Sequence, residues 1–260
     1  MSRLPIVFFG HGSPMVALEK SATTQSWNRI AGRIGRPRAI LCISAHWQTR
    51  GTAVTAMAQP RTIHDFGAFP QALFDMQYPA PGDPELARRV SELLAPMPVT
   101  LDADWGLDHG TWTVLVHAYP HADVPVIQLG MDVNKTTAQH WQVGRALRSL
   151  RDEGVLIVGT GNIVHNLSAM DWANPAGEPY PWAERFNRTM CAAIAANDPK
   201  TVIDYAALGD AARLSVPSPD HFLPLLYVLG ARHDGETAEF DPHFIQHRSL
   251  GMTSVLIGAA

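Results

Sequence analysis

Cysteine is scarce: Cys42 and Cys191 are the only two thiols in 260 residues. They can build neither a disulfide framework nor a CxxC metal knuckle, and thiols that simply pack suit a reducing compartment, so a cytoplasmic location is expected. Charged residues make up only 17% of the chain, with 20 Lys and Arg against 24 Asp and Glu. The basic residues are scattered rather than gathered in a stripe, which excludes the electrostatic footprint of a nucleic-acid binder. Long apolar runs are missing too. The N-terminal "IVFFGHGSP" breaks at Gly10-His11-Gly12, so neither a signal peptide nor a membrane span is expected, and residue 1 is read as the start of the fold.

Several familiar motifs are also absent. "GTGN" at 159–162 lacks the third glycine of a dinucleotide fingerprint, because position 164 is valine, and no GxxxxGK[ST] stretch makes a P-loop. Ser13 lies in no GxSxG elbow. His117 and His121 are four apart, but Pro120 interrupts a helix between them and no HExxH is formed, which argues against a zincin.

What is present is a 46% hydrophobic composition, enough to bury a substantial core, and a regular alternation of elements. Short β-branched runs at 5–10, 39–47, 124–130 and 154–161 read as strands, and their lack of polar alternation predicts a sheet covered on both faces. Residues 51–57 and 253–259 are further strand candidates, antiparallel or at an edge. Helical patterns lie between: Asp83 and Pro84 open one that carries Leu86, Val90, Leu93 and Leu94 on one face. A second runs from 136 to Gly154, and a third follows Pro181 with Phe186, Met190 and Ile194. The proline clusters at 78–84, 174–181 and 216–219 are short and flanked by apolar pattern, so they mark fixed turns rather than linkers. The alternation predicts a single-domain α/β sandwich over residues 1–260, with a mostly parallel central sheet covered by helices.

Twelve histidines are the unusual count. Imidazole is the commonest metal ligand and titrates near neutral pH, so position decides what each one does. His11 follows "IVFFG", His46 follows "ILCISA" and His165 follows "VLIVGTGNIV", each just past a strand whose carboxyl end would face a common crevice. His221, in "SPDHFLPLL", sits where a proline turn becomes a helix, and His109, in "GLDHGTW", lies in a Gly-flanked loop. Singly, each is better explained as a turn or core residue bonded to backbone than as a metal ligand. Jointly they would converge if the strands are neighbours, forming a metal site at the carboxyl ends of the sheet suited to Zn(II) or Fe(II). His140, His233, His243 and His247 lie in polar settings and are expected to be solvated, and His64 belongs to either a turn or a substrate lid. Trp47 and Trp112 are candidates to wall an aromatic pocket.

The strings "GHGSP", "SAHW", "TIHDFGAFP", "YPAPG", "LDHGTW", "GTGNIVHNL" and "PSPDHFLPLL", in this order and spacing, resemble the class III extradiol ring-cleavage dioxygenases, in their DOPA 4,5-dioxygenase branch. The resemblance spans nearly the whole chain. It implies one mononuclear non-haem metal per chain on His11, His46 and His221, with His165 as a fourth ligand or an acid/base, and His109 in contact with substrate or dioxygen. The implied partners are a small catechol such as DOPA, and O2, with the chain a monomer or homodimer. Protocatechuate-type members complete their ligand set with a glutamate, where this sequence has Asp220 and His221. Fe(II) is therefore expected for catalysis and Zn(II) as an alternative occupant, able to bind a catechol without cleaving it. Two other functions compete: a zinc hydrolase on the same imidazoles, which would consume no oxygen, and a non-catalytic binding member of the fold, which would not need His109 and His165.

Overall fold

A computed structural model describes residues 3–258. Its central sheet has six strands, β1 (Ile6–Gly10), β2 (Ala39–Ser44), β3 (Val126–Gln128), β4 (Val155–Gly161), β5 (Ala238–Phe240) and β6 (Val255–Ile257), in the spatial order β3-β2-β4-β1-β6-β5. The first four in that order are mutually parallel, and β6 and β5 add an antiparallel edge. The strand expected at 253–259 is thus β6, whose expected last residue, Ala259, lies outside the described residues. The one expected at 51–57 lies outside this sheet: Thr52–Thr55 pairs in parallel with Val99–Asp102 as a separate ribbon.

Alternate residues of each central strand enter two different cores. Ile6, Phe8, Leu41, Ile43 and Ile157 face one side, while Val7, Phe9, Ile40, Cys42 and Val158 face the other. A strand buried on both faces has no polar position, which explains the unbroken apolar runs. The first core is covered by helices α2 (Pro84–Leu94), α4 (Thr137–Leu147), α5 (Pro181–Ala195) and α6 (Leu223–Gly230). The second is covered by α1 (Ala22–Ile34) and α3 (His109–Ala118), which contribute Trp27, Ile30, Trp112 and Leu115. Helix α2 starts as its sequence predicts, with Pro84 in the first turn and the Asp83 side chain accepting from the Leu86 N–H at 2.9 Å. The helix expected to run to Gly154 is α4 followed by a 3-10 segment, Arg148–Glu153, that stops where Gly154 turns left-handed at φ 76.

Arg151 is a fully buried cation near the β4 entrance. Its guanidinium donates to Glu236 at 2.6 and 2.8 Å and to the carbonyls of Leu4 and Ala231. Removing one partner of such a pair strands the other, so Arg151→Met should destabilise the fold by about 3–5 kcal/mol. Burial pushes the Glu236 carboxyl up, but the Arg151 hydrogen bond and charge and the His233 N–H together outweigh it and hold the pKa below the usual 4.5. A depressed carboxyl stabilises fully above its unfolded pKa and loses that contribution as pH falls through the folded one. Thermal melts should therefore show the gap between wild type and Arg151→Met at neutral pH and a narrowing of it in acid.

Candidate metal centre

Strands β2, β4 and β1 are adjacent and parallel, so the chain leaves all three on one edge of the sheet, where His46, His165 and His11 follow. Hydrogen bonds fix these exits. The His11 N–H donates to the Gly161 carbonyl at 3.1 Å, the His46 N–H donates to Ser44 Oγ at 3.2 Å, and the Ala45 N–H donates to the Thr160 carbonyl at 3.1 Å. Asn162, in the "GTGN" that fails as a nucleotide motif, ties the edge together. Its backbone N–H donates to the His221 carbonyl at 2.8 Å, and its side-chain amide donates to the carbonyls of His11 (2.6 Å) and Gly251 (2.8 Å). The glycines of that motif serve close approach instead: a Cβ on Gly161 would lie 2.1 Å from the His221 carbonyl oxygen. Gly10 is alike, since its Cβ would meet the Thr253 carbonyl oxygen at 2.6 Å, while neither Gly10 nor Gly12 has the positive φ of the tight turn that Gly-His-Gly suggests.

His109 is not in a loop, as its glycine neighbours suggest, but in the first turn of α3. The preceding Asp108 caps that helix from a buried network in which Ser44 Oγ donates to it at 2.6 Å and the Gln128 amide at 2.7 Å. Gly110 follows because a Cβ there would lie 2.5 Å from Ser44 Oγ and 2.7 Å from the His46 ring. A glycine demanded by packing thus disguises a helix start.

The five imidazoles enclose one space. Ring centroids of His46 lie 5.3 Å from His11, 3.8 Å from His109 and 4.9 Å from His221, and the rings of His165 and His221 stack at 3.5 Å. Ligand atoms of His11, His46 and His109 fall within 4.8 Å of one another, as do those of His165, Asp220 and His221. Two carboxylates flank the outer rings. Asp220 Oδ2 lies 2.5 Å from His221 Nδ1 and holds the tautomer that leaves Nε2 with a lone pair, while Asp65 Oδ2 lies 2.9 Å from His109 Nδ1 without the alignment of a hydrogen bond and accepts instead, through Oδ1, from the His109 backbone N–H. Burial is the largest single influence and would raise both carboxyls; the facing histidines and nearby hydrogen-bond donors together outweigh it and hold both below the usual range. Neither Asp65 nor Asn162 stands out in the sequence. Asp65 is flagged there only as a neighbour of His64, and Asn162 sits in a motif that fails.

This donor set fits a divalent cation. Burial, then the repulsion of neighbouring imidazoles, drives the pKa of His11 and His46 well down, and His165 is pushed down to about 3 by burial and His221. Neutral rings present lone pairs, yet the cluster does not close on itself. His11 Nε2 and His46 Nε2 are 3.2 Å apart, and buried His11 Nδ1 has no hydrogen-bond partner among the described residues. Crowded neutral imidazoles that share few hydrogen bonds need an electron-pair acceptor, which a borderline ion supplies.

The histidines floor a cavity of about 640 Å³. Its walls are Phe66, Phe69, Met170, Trp172, Phe244 and Met252, so loops 61–70 and 172–182 both contribute. Trp47 and Trp112 do not: Trp47 stacks on Trp105 at 5.7 Å, and buried Trp112 donates Nε1–H to the Ile63 carbonyl at 2.8 Å. His64 turns away, its Nε2 2.9 Å from the Met76 carbonyl. His140, expected in solvent, is buried with Nδ1 2.7 Å from the Tyr227 hydroxyl. Four-residue spacing on a capped helix puts it inside, where the tyrosine hydroxyl partners it.

Comparison with known proteins places this arrangement. Residues 6–258 match the family described as the catalytic LigB subunit of aromatic ring-opening dioxygenase. The chain is 50% identical over 261 residues to a 4,5-DOPA dioxygenase extradiol of Escherichia coli K12, an alignment covering 99% of this chain and 96% of the relative. A protein of the same name from Beta vulgaris is 37% identical over 241 residues, covering 89% and 88%. The crystal structure of an uncharacterized protein from Escherichia coli K12 superimposes with a TM-score of 0.85 at 45% identity, covering 98% of this chain and all of that one. The chain belongs to the LigB family of aromatic ring-opening dioxygenases. It is a metal-dependent enzyme of extradiol ring cleavage, and these relatives favour neither the hydrolase nor the binding module. No helix among the described residues is long and apolar enough to cross a membrane.

Proposed function

We propose that the enzyme opens the ring of a catechol such as DOPA beside the diol, in 4,5 fashion, with one divalent ion held by His11, His46 and His221. The supporting observation is the convergence of five imidazoles at one sheet edge under an apolar cavity. His221 joins the ligand set in this proposal because the hydrogen bond to Asp220 fixes its Nδ1 and frees Nε2, whereas the His109 ring lies beside the Asp65 carboxylate without such a bond and is assigned the acid/base role. Fe(II), when bound, supplies the redox centre at which catecholate and O2 meet, whereas Zn(II), without redox chemistry, supplies only a binding site.

The protein's own groups do the rest. Phe66 packs edge-on against His109 at 5.6 Å and, with Phe69, offers the substrate ring an apolar wall that keeps water out. His165, neutral at pH 7, has its lone pair available for a phenolic proton, and its lowered basicity favours giving that proton up again. His109, whose backbone N–H donates to Asp65 at 2.9 Å, takes the second phenolic proton of the catechol and returns it as the ring opens. Both oxygen atoms enter a muconic semialdehyde, which for DOPA cyclises. We read residues 1–260 as one such domain, cytoplasmic, a monomer or homodimer, with the catechol and O2 as its partners.

Asp65→Asn should lower kcat/KM by about 10–100-fold with metal content retained, the usual cost of losing a partner that orients a site imidazole. Oxygen uptake and metal analysis on the same preparation check this. For the function itself, protein loaded anaerobically with Fe(II) should turn DOPA yellow in air, and Zn(II)-loaded protein should not. A colourless reaction across a panel of catechols would refute it.

A further inference from the structure

The cavity lining also carries one imidazole outside the cluster, His247, and, besides Asp65, the carboxylate of Glu19; among the described residues no Lys or Arg lines it. His247 is held with unusual care. It and Arg248 are consecutive non-glycine residues in the left-handed region, at φ 49 and 66, a conformation that persists only where its surroundings enforce it. The surroundings are the 171–180 loop. His247 N–H donates to the Pro175 carbonyl (2.8 Å), and its carbonyl accepts from Asp171 N–H (3.1 Å). The Arg248 carbonyl accepts from Tyr180 N–H (3.0 Å).

The ring itself is fixed as well. Nδ1 lies 3.2 Å from the Asp171 carbonyl, an obligate acceptor, so Nδ1 carries the proton and Nε2 keeps a lone pair. Trp172 packs over the ring at 5.0 Å. Arg248, the next residue, does not line the cavity: its guanidinium donates to the Glu178 carbonyl at 2.9 Å, lies 3.7 Å from Asp171 and covers Tyr180 at 4.2 Å. Outside the cluster, the cavity wall therefore offers an imidazole acceptor and a carboxylate, while the neighbouring guanidinium is engaged elsewhere.

We infer that His247 is a specificity-determining residue that accepts a hydrogen bond through Nε2 from the ammonium group of an aminoalkyl catechol, and that the enzyme selects its substrates by that amine rather than by a carboxylate. The inference rests on the catechol reading of the site and adds which side chain the substrate must carry. Dopamine and DOPA share the amine; 3-(3,4-dihydroxyphenyl)propionate is DOPA without it.

Calorimetry on Zn(II)-loaded protein with these three ligands tests the idea without turnover. Wild type should bind dopamine and DOPA about tenfold or more tightly than the propionate, the effect of one hydrogen bond with an ionised donor. His247→Asn tolerates the left-handed backbone and can still donate to the Asp171 carbonyl, but cannot reach with an Nε2 equivalent. It should bring the three affinities within about threefold, leaving the propionate unchanged, and His247→Gln should restore part of the preference. Equal wild-type binding of DOPA and the propionate, or an equal loss for all three ligands in His247→Asn, would overturn the assignment. Oxygen uptake by the Fe(II)-loaded protein is scored separately. An amine preference without uptake would sink ring cleavage and keep His247, and uptake without the preference would do the reverse.

Discussion

His46→Ala should lose more than about 100-fold in ring cleavage, a larger effect than that of a residue acting through a ligand, and should lose bound metal in proportion. The same holds for His11→Ala and for His11→Asp, whose carboxylate has a different reach. The fold should survive. The imidazoles of His11 and His46 have their basicity depressed by burial and by neighbouring imidazoles, so in metal-free protein they add little to stability and their crowding subtracts from it. The metal-free variant should therefore melt at or above the temperature of metal-free wild type, while the metal-induced rise in Tm disappears. Metal analysis with paired thermal melts checks both halves. Full metal occupancy with undiminished activity in His46→Ala would contradict the ligand assignment.

Gly161→Ala carries the second large effect, from a single methyl group. The Cβ would sit 2.1 Å from the His221 carbonyl oxygen, the atom that also accepts from Asn162 N–H. Backbone cannot move there without displacing His221 from the cluster, because Asn162 ties the same point to His11 and Gly251. Overpacking of this kind costs about 1–3 kcal/mol in stability. Catalysis should suffer more, because a site imidazole displaced by about 1 Å can cost on the order of 100-fold. Gly32→Ala is the control: no atom lies within 4 Å of its Cβ, and a helix-interior glycine replaced by alanine should stabilise slightly. Gly161→Ala with wild-type kcat/KM would show that the β4–His221 contact does not set the site.

The parts of the site legible in the sequence are those governed by strand pattern. A strand buried on both faces is an unbroken apolar run, and the residue after it lies at the sheet edge, so His11, His46 and His165 could be placed from local pattern alone. What local pattern could not show depends on contacts between distant segments. Asp65 meets His109 across 44 residues, and Asn162 meets His11 across 151. His109 was hidden by Gly110, a residue with poor helix propensity that Ser44 and His46 require. His140 looked polar because its partner, Tyr227, is 87 residues away on a fully buried helix. The strand expected at 51–57, antiparallel or at an edge, forms a parallel ribbon over 52–55 instead, because its partner, 99–102, has exposed positions and no apolar run of its own to mark it in the sequence.

The most direct test of the central claim is the oxygen stoichiometry of Fe(II)-reconstituted protein acting on a limiting amount of DOPA, followed with an oxygen electrode and a peroxide assay. One O2 consumed per catechol, with a yellow ring-opened product and no hydrogen peroxide, is the expected outcome. No uptake, or uptake that returns as peroxide with the ring intact, would contradict it.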